Sequence, residues 1–183
     1  MDLTNQFLIA MPGLEDSGFK KSVVYICQHD HDGAMGLVIN KTIENHLSDL
    51  LEHLSIDDQD LKQDQHVFCG GPVHPENGFI IHYPVGKWRT SLNINSQFGI
   101  TTSKDILIAM ANNEGPEKAF VALGYAGWEP GQLEEEIKKN CWLIVPAQPE
   151  IVFNTPVKQR WHKAFSLAGI RNPLHLSAYS GHA

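Results

Sequence analysis

Two apolar, β-branched segments face each other across a turn near the N-terminus, and this pairing constrains the fold more than any other feature. Residues 22–29 are rich in Val, Ile and Tyr, His31-Asp32-Gly33 is a turn signal, and residues 34–40 (AMGLVIN) read as the returning strand. A hairpin here commits the chain to a sheet that begins antiparallel. The apolar run 7–11, stopped by Pro12-Gly13, reads as a buried strand beside it. Further strands are expected at 66–69, 79–83, 91–94, 118–125 and 141–145.

Between these runs the period changes from two to about 3.6. Thr42 is expected to cap a helix whose Leu47, Leu50, Leu51 and Leu54 recur at helical spacing. Thr102 opens a second helix, with Asp105 in a capping-box position and Ile106, Leu107 and Met110 facing inward. A third runs through Leu133 and Ile137. A fourth starts at Thr155-Pro156, with Val157, Trp161, Ala164, Phe165 and Ala168 as its stripe and Gly169 as its stop. The tail, LHLSAYSGHA, suggests one last short strand. Hairpin-like strands followed by strand–helix–strand units predict an α/β chain of mixed α+β character, a mixed sheet packed with helices. A single domain over 1–183 is expected, with a possible sub-lobe at about 44–95.

Charge and cysteine usage narrow the function classes. With 14 Lys+Arg against 21 Asp+Glu, the formal charge of −7 repels phosphodiester backbones and argues against direct nucleic-acid binding. The cysteines, Cys27, Cys69 and Cys141, are odd in number and lack CxxC spacing, so neither a disulfide framework nor a zinc ribbon is expected. No apolar run approaches a membrane span, and the N-terminus lacks a signal-peptide pattern. A cytoplasmic protein is the expectation.

Several motifs, in order, carry a resemblance: FLIAMPGLEDSGF, VVYICQHDHDGAMGLVINK, FCGGPV, ITTSKD, VALGYAGWEPGQLEEEIKKN, NTPVKQRW and the closing GHA. Together they resemble the AlgH-like family of bacterial proteins over essentially the whole chain. The resemblance implies a three-layer α/β sandwich with a smaller α+β lobe. It also implies a link to the regulation of alginate production in pseudomonads, some members being labelled transcriptional regulators, and it brings no enzymatic activity. Asn154 stands where the family commonly has an acid before Thr-Pro, and Cys69 before Gly-Gly departs from the family pattern.

Candidate functional residues concentrate in glycine-rich segments. Gly124-Tyr125-Ala126-Gly127-Trp128 is expected as a turn between strand and helix, where backbone N–H groups can hold an anion. Tyr125 and Trp128 would stack a ring there, against the alternative that both pack in the core. Gln132, Glu136 and Asn140 share one helix face beside the Leu133–Ile137 stripe, either lining a cleft or simply solvated. Gly70, Gly71 and Pro72 form a loop after Cys69, and His182 lies in the terminal GHA. The preferred reading is a ligand-binding or regulatory protein whose cleft uses Gly70, Gly71, Pro72, Gly124, Tyr125, Gly127, Trp128, Gln132, Glu136 and His182. Its partner would be a small ligand or another protein; no cofactor is identified.

Two other readings are carried. A regulator acting on DNA lacks any helix-turn-helix, zinc finger or basic stripe, though one acting through protein partners survives that objection. An enzyme would use Cys69 at a strand end, Glu136 as base, or a metal on His29 and His31 with His74 or His82. A polar hairpin turn explains His29-Asp30-His31-Asp32 more simply, so no metal site is assigned.

Overall fold

In the computed structural model the described residues are 2–95 and 97–178. They form ten strands and four α-helices: β1 (Gln6–Ala10), β2 (Val23–Asp30), β3 (Gly33–Val38), β4 (Thr42–His46), α1 (Leu47–His53), β5 (His66–Cys69), β6 (Val73–Tyr83), β7 (Ser91–Asn93), β8 (Gly99–Thr101), α2 (Lys104–Ala111), β9 (Lys118–Trp128), α3 (Gln132–Lys138), β10 (Trp142–Pro146) and α4 (Arg160–Leu167). The expected mixed sheet with packed helices is present. Its order is β10-β1-β2-β3-β9-β6-β8-β7, with β4 pairing β5 and β5 joining β9. Pairing is antiparallel throughout, apart from the parallel contact of β5 with β9.

β1 and β2 read as continuous apolar runs because both of their faces are covered. Phe7, Ile9, Val23, Tyr25 and Cys27 join a core that α4 closes with Trp161, Ala164 and Phe165. The alternate residues Leu8, Ala10, Val24 and Ile26 pack instead with Trp128, Trp142 and Leu133 of α3. Further along, Phe79, Ile81, Phe120 and Ala122 face the α4 side. Ile80 and Val121 face α1 and α2 through Leu47, Leu51, Ile106 and Leu107.

β9 is the organising strand. It pairs β6 from Lys118 to Tyr125, β5 at Ala122 and Leu123, and β3 from Ala126 to Trp128. The expected strand at 118–125 therefore runs on through Trp128, and the GYAGW segment is strand rather than a turn at a helix N-terminus. The helix turn comes later, at Gly131, whose φ of 79° supplies the left-handed position before α3.

Four local expectations are corrected. Thr42 is extended and pairs Phe68, so α1 starts only after His46, whose backbone N–H donates to Asp49 Oδ2 at 2.7 Å. β8, at Gly99–Thr101, adds a strand to those expected, Gly99 being a breaker by propensity. Thr155-Pro156 does not open α4: Pro156 sits at ψ 136°, extended, and the Thr155 hydroxyl donates back to the Glu150 carbonyl. A π-helical turn at Glu150–Asn154 and a 3₁₀ turn at Val157–Gln159 come before α4. Residues Pro173–Ala178 form a 3₁₀ turn where a strand was expected. The GHA tail with His182 lies outside the described residues.

Candidate functional site

The two glycine motifs meet backbone to backbone. Gly70 N–H donates to the Leu123 carbonyl at 2.8 Å, and its own carbonyl accepts from Val38 N–H at 2.8 Å. A Cβ on Gly70 would stand 2.3 Å from the Gly124 carbonyl oxygen. One on Gly71, at φ +154°, would stand 2.2 Å from the Tyr125 carbonyl carbon. Gly124, at φ +72°, faces Gly71 in return, its Cβ position 2.4 Å from the Gly71 oxygen. No side chain fits anywhere in this crossing. It locks the start of β6 onto β9, so that Val73 pairs Tyr125.

Beside the crossing lies an open cleft of about 470 Å³. Met35, Val73, Tyr125 and Trp128 supply its apolar wall, and Asp30, Asp32 and Glu129 are the acidic residues that line it. Tyr125 stacks on His74 at 6.1 Å and meets the edge of Phe79 at 5.8 Å. Gly127 makes room for that ring, since a Cβ there would touch Tyr125 Cε2 at 3.3 Å. Asp30 accepts from Gln28 Nε2 and from Asp32 N–H, each at 2.8 Å, and these bonds hold its carboxyl below the usual range.

Not every predicted residue reaches this cleft. Pro72 is exposed beyond it. Glu136 is a latch: it accepts the indole N–H of Trp128 at 2.9 Å and of Trp142 at 2.7 Å, and Gln132 Nε2 at 2.9 Å. Gln132 also accepts Glu129 N–H at 3.0 Å. Both side chains thus hold the Trp128 wall from behind. Asn140 ends its helix in the left-handed region, at φ 55°.

The histidine and cysteine candidates separate. His29 is buried and takes Leu3 N–H on Nδ1 at 3.1 Å, which leaves its proton on Nε2, 2.9 Å from Glu134. It ties the N-terminus to α3. His31 projects into solvent past the end of β2, 89% exposed at its side chain. Asp30, His31 and Asp32 bring ligand atoms within 4.8 Å of one another, but all three are exposed. His74 pairs Glu76, and His82 is buried on Thr101. Among the described residues no histidine hydrogen-bonds Cys69 Sγ.

At the other end of β9 is a second cavity, of about 540 Å³, that the sequence reading missed. Lys118, Phe120, Phe68, Phe153, Gln65 and Arg160 are among its lining residues. Arg160 is 5% exposed, and burial pulls its guanidinium down to about 10. Nε donates to the Thr155 carbonyl at 2.9 Å and Nη1 to the Ile39 carbonyl at 2.5 Å. The guanidinium lies 5.3 Å from the Phe68 ring centroid and 5.7 Å from that of Phe120. One signal could have found it: Arg160 occupies an inward position in the Val157–Trp161–Ala164 stripe, where a charge calls for explanation.

The AlgH-like family model matches residues 7–173. The chain belongs to the AlgH-like family. A relative in Vibrio atlanticus is 47% identical, the match covering all of both chains, and one in Proteus mirabilis is 49% identical over all of both. The solution structure of the AlgH protein from Pseudomonas aeruginosa is similar at a TM-score of 0.82 and 39% identity, covering 100% of this chain and 97% of that one. A protein of Corynebacterium diphtheriae shares the fold at a TM-score of 0.73 and 19% identity, covering 98% and 92% of the two chains. The AlgH-like chain described here has, among its described residues, no helix long and apolar enough to cross a membrane.

Proposed function

We propose that this AlgH-like protein is a ligand-binding, regulatory protein whose site is the cleft beside the glycine crossing. The observation that carries the reading is that Gly70, Gly71 and Gly124 fix Val73 against Tyr125 and so preform one wall of a cavity of about 470 Å³. Pockets of this size, apolar with a few placed polar groups, suit small organic ligands. The acidic residues Asp30, Asp32 and Glu129 make the favoured occupant a cation with an apolar body: the ring or chain lies on Tyr125, Met35 and Trp128 while the positive end meets the carboxylates. No step of bond making is required.

Phenethylammonium, a ring joined to an ammonium, is a suitable probe for isothermal titration calorimetry. Saturable binding to the wild type, weakened severalfold in Asp32→Asn and Tyr125→Ala, is expected. Heats that never saturate, or binding untouched by both substitutions, would rule the reading out. Thermal stability gives a second readout, since a ligand at a hundred times its dissociation constant stabilises by about 2.7 kcal/mol.

A further inference from the structure

Arg160 is the buried side chain whose chemistry the packing does not exhaust. A guanidinium carries five N–H donors and no acceptor. Two of them are bound, to Thr155 and Ile39, both neutral carbonyls. Among the described residues no carboxylate lies within ion-pair distance of Arg160. The sealed polar atoms without a partner are Ser22 Oγ and Trp88 Nε1, and Nη2 is not one of them. Among the described residues three of the five donors thus have no hydrogen-bond partner, on a residue that lines the cavity. Buried charges in proteins are ordinarily paired, because desolvation of a lone cation is costly. Here only aromatic faces and backbone dipoles compensate it.

The cavity around Arg160 suits an anion. Lys118 stands on its wall, its ammonium held by Asn154 Oδ1, and Lys62 contributes a second positive charge. Gln65 is fixed by its bond to the Ala119 carbonyl at 3.0 Å, and Glu117 is the acidic residue on the lining. Phe68 and Phe120, whose ring centroids are 4.3 Å apart, both lie to one side of the guanidinium and add cation–π attraction to its two backbone bonds.

We propose that this second cavity is an anion site, in which Arg160, supported by Lys118, receives the carboxylate or phosphate group of a small molecule. The rest of the molecule lies within the roughly 540 Å³ between Phe153 and the Gln65 side. The site shares no lining residue with the cleft near Trp128, so it stands independently of the proposed function above.

The test follows the Arg160 Nε–H and the amides of Lys118, Ala119 and Phe120 by NMR. Inorganic phosphate and benzoate are titrated separately at constant ionic strength, with chloride as the control. The expected result is a saturable shift of Arg160 Nε–H with at least one anion, and which anion binds decides between phosphate and carboxylate. Arg160→Lys, which keeps the charge and loses the fork, weakens that binding about tenfold or more. Lys118→Gln weakens it by a smaller factor. Shifts that stay linear and spread over surface lysines, or full binding by a folded Arg160→Lys protein, overturn the proposal. The wild-type titration decides the matter even if Arg160→Lys does not fold.

Discussion

Single residues in this protein are held by contacts that leave little freedom. Gly71 is the sharpest case: any Cβ would fall inside the Tyr125 backbone, and backbone cannot turn away as a side-chain tip can. Gly71→Ala is expected to destabilise by about 1–3 kcal/mol through forced displacement of β6 from β9. For a chain of this size each kcal/mol corresponds to roughly 2–4 °C in Tm, readable by calorimetry. Glu136→Leu is a second test, because both indoles donate to the one oxygen Oε2 and lose their acceptor together. The expected loss is about 1–3 kcal/mol for each stranded indole donor, measured by urea denaturation. His82 supplies a pH dependence. Its Nδ1–H donates to the Pro84 carbonyl at 3.0 Å, so neutral Nε2 accepts the Thr101 hydroxyl at 2.9 Å, and Ser91 donates to Thr101 at 2.7 Å. Burial holds its pKa below the ordinary 6.5. The unfolded chain therefore takes up the proton first as pH falls. Stability declines from about pH 6.5 downward until the folded-state pKa is reached, and it is recovered above that window. His82→Gln should flatten this part of a stability-against-pH curve; an unchanged slope would assign it to other histidines.

Among the elements, β9 carries the most. It is paired on both edges, by β6 on one side and by β5 and then β3 on the other. Its central amides, around residues 120–123, are expected to exchange with solvent only on global unfolding, and those of β7 and β8 much sooner. Hydrogen exchange followed by NMR checks this. β9 also shows what the sequence could and could not tell. The apolar half, 118–125, was legible because its Phe, Val, Ala and Leu face covered layers on both sides. The second half was not, because Gly124 and Gly127 are turn residues by propensity. They serve here as clearance for Gly71 and for the Tyr125 ring, a tertiary cause that no local pattern encodes. Thr42 misled for a similar reason: a good cap by chemistry, it is drawn into β4 by pairing with Phe68. Gly70, Gly71, Tyr125 and Trp128 could be singled out as candidates from their motifs, and the fold brings them together beside the cleft. Arg160 was legible only as a charge at an inward helix position, because the cavity around it is assembled from β5, β9 and α4.

At the scale of the whole molecule, β9 belongs to both halves of the sheet, so neither half can lose it and keep its edge. The chain is expected to unfold in one cooperative transition, with coincident curves from near- and far-ultraviolet circular dichroism; a separate early step for residues 44–95 would reveal an independent sub-lobe. The two cavities lie at opposite ends of the same strand, with Phe120 lining one and Tyr125 the other. The cleft wall has a practical side as well. Trp128 stands 6.0 Å from Trp142, nearly edge to face at 81°, and both indoles share one carboxylate. Two emitters so close exchange excitation, and only Trp128 lines the cleft. The protein thus carries its own optical gauge: an occupant beside Trp128 changes the fluorescence of the pair, and no label need be attached to see it.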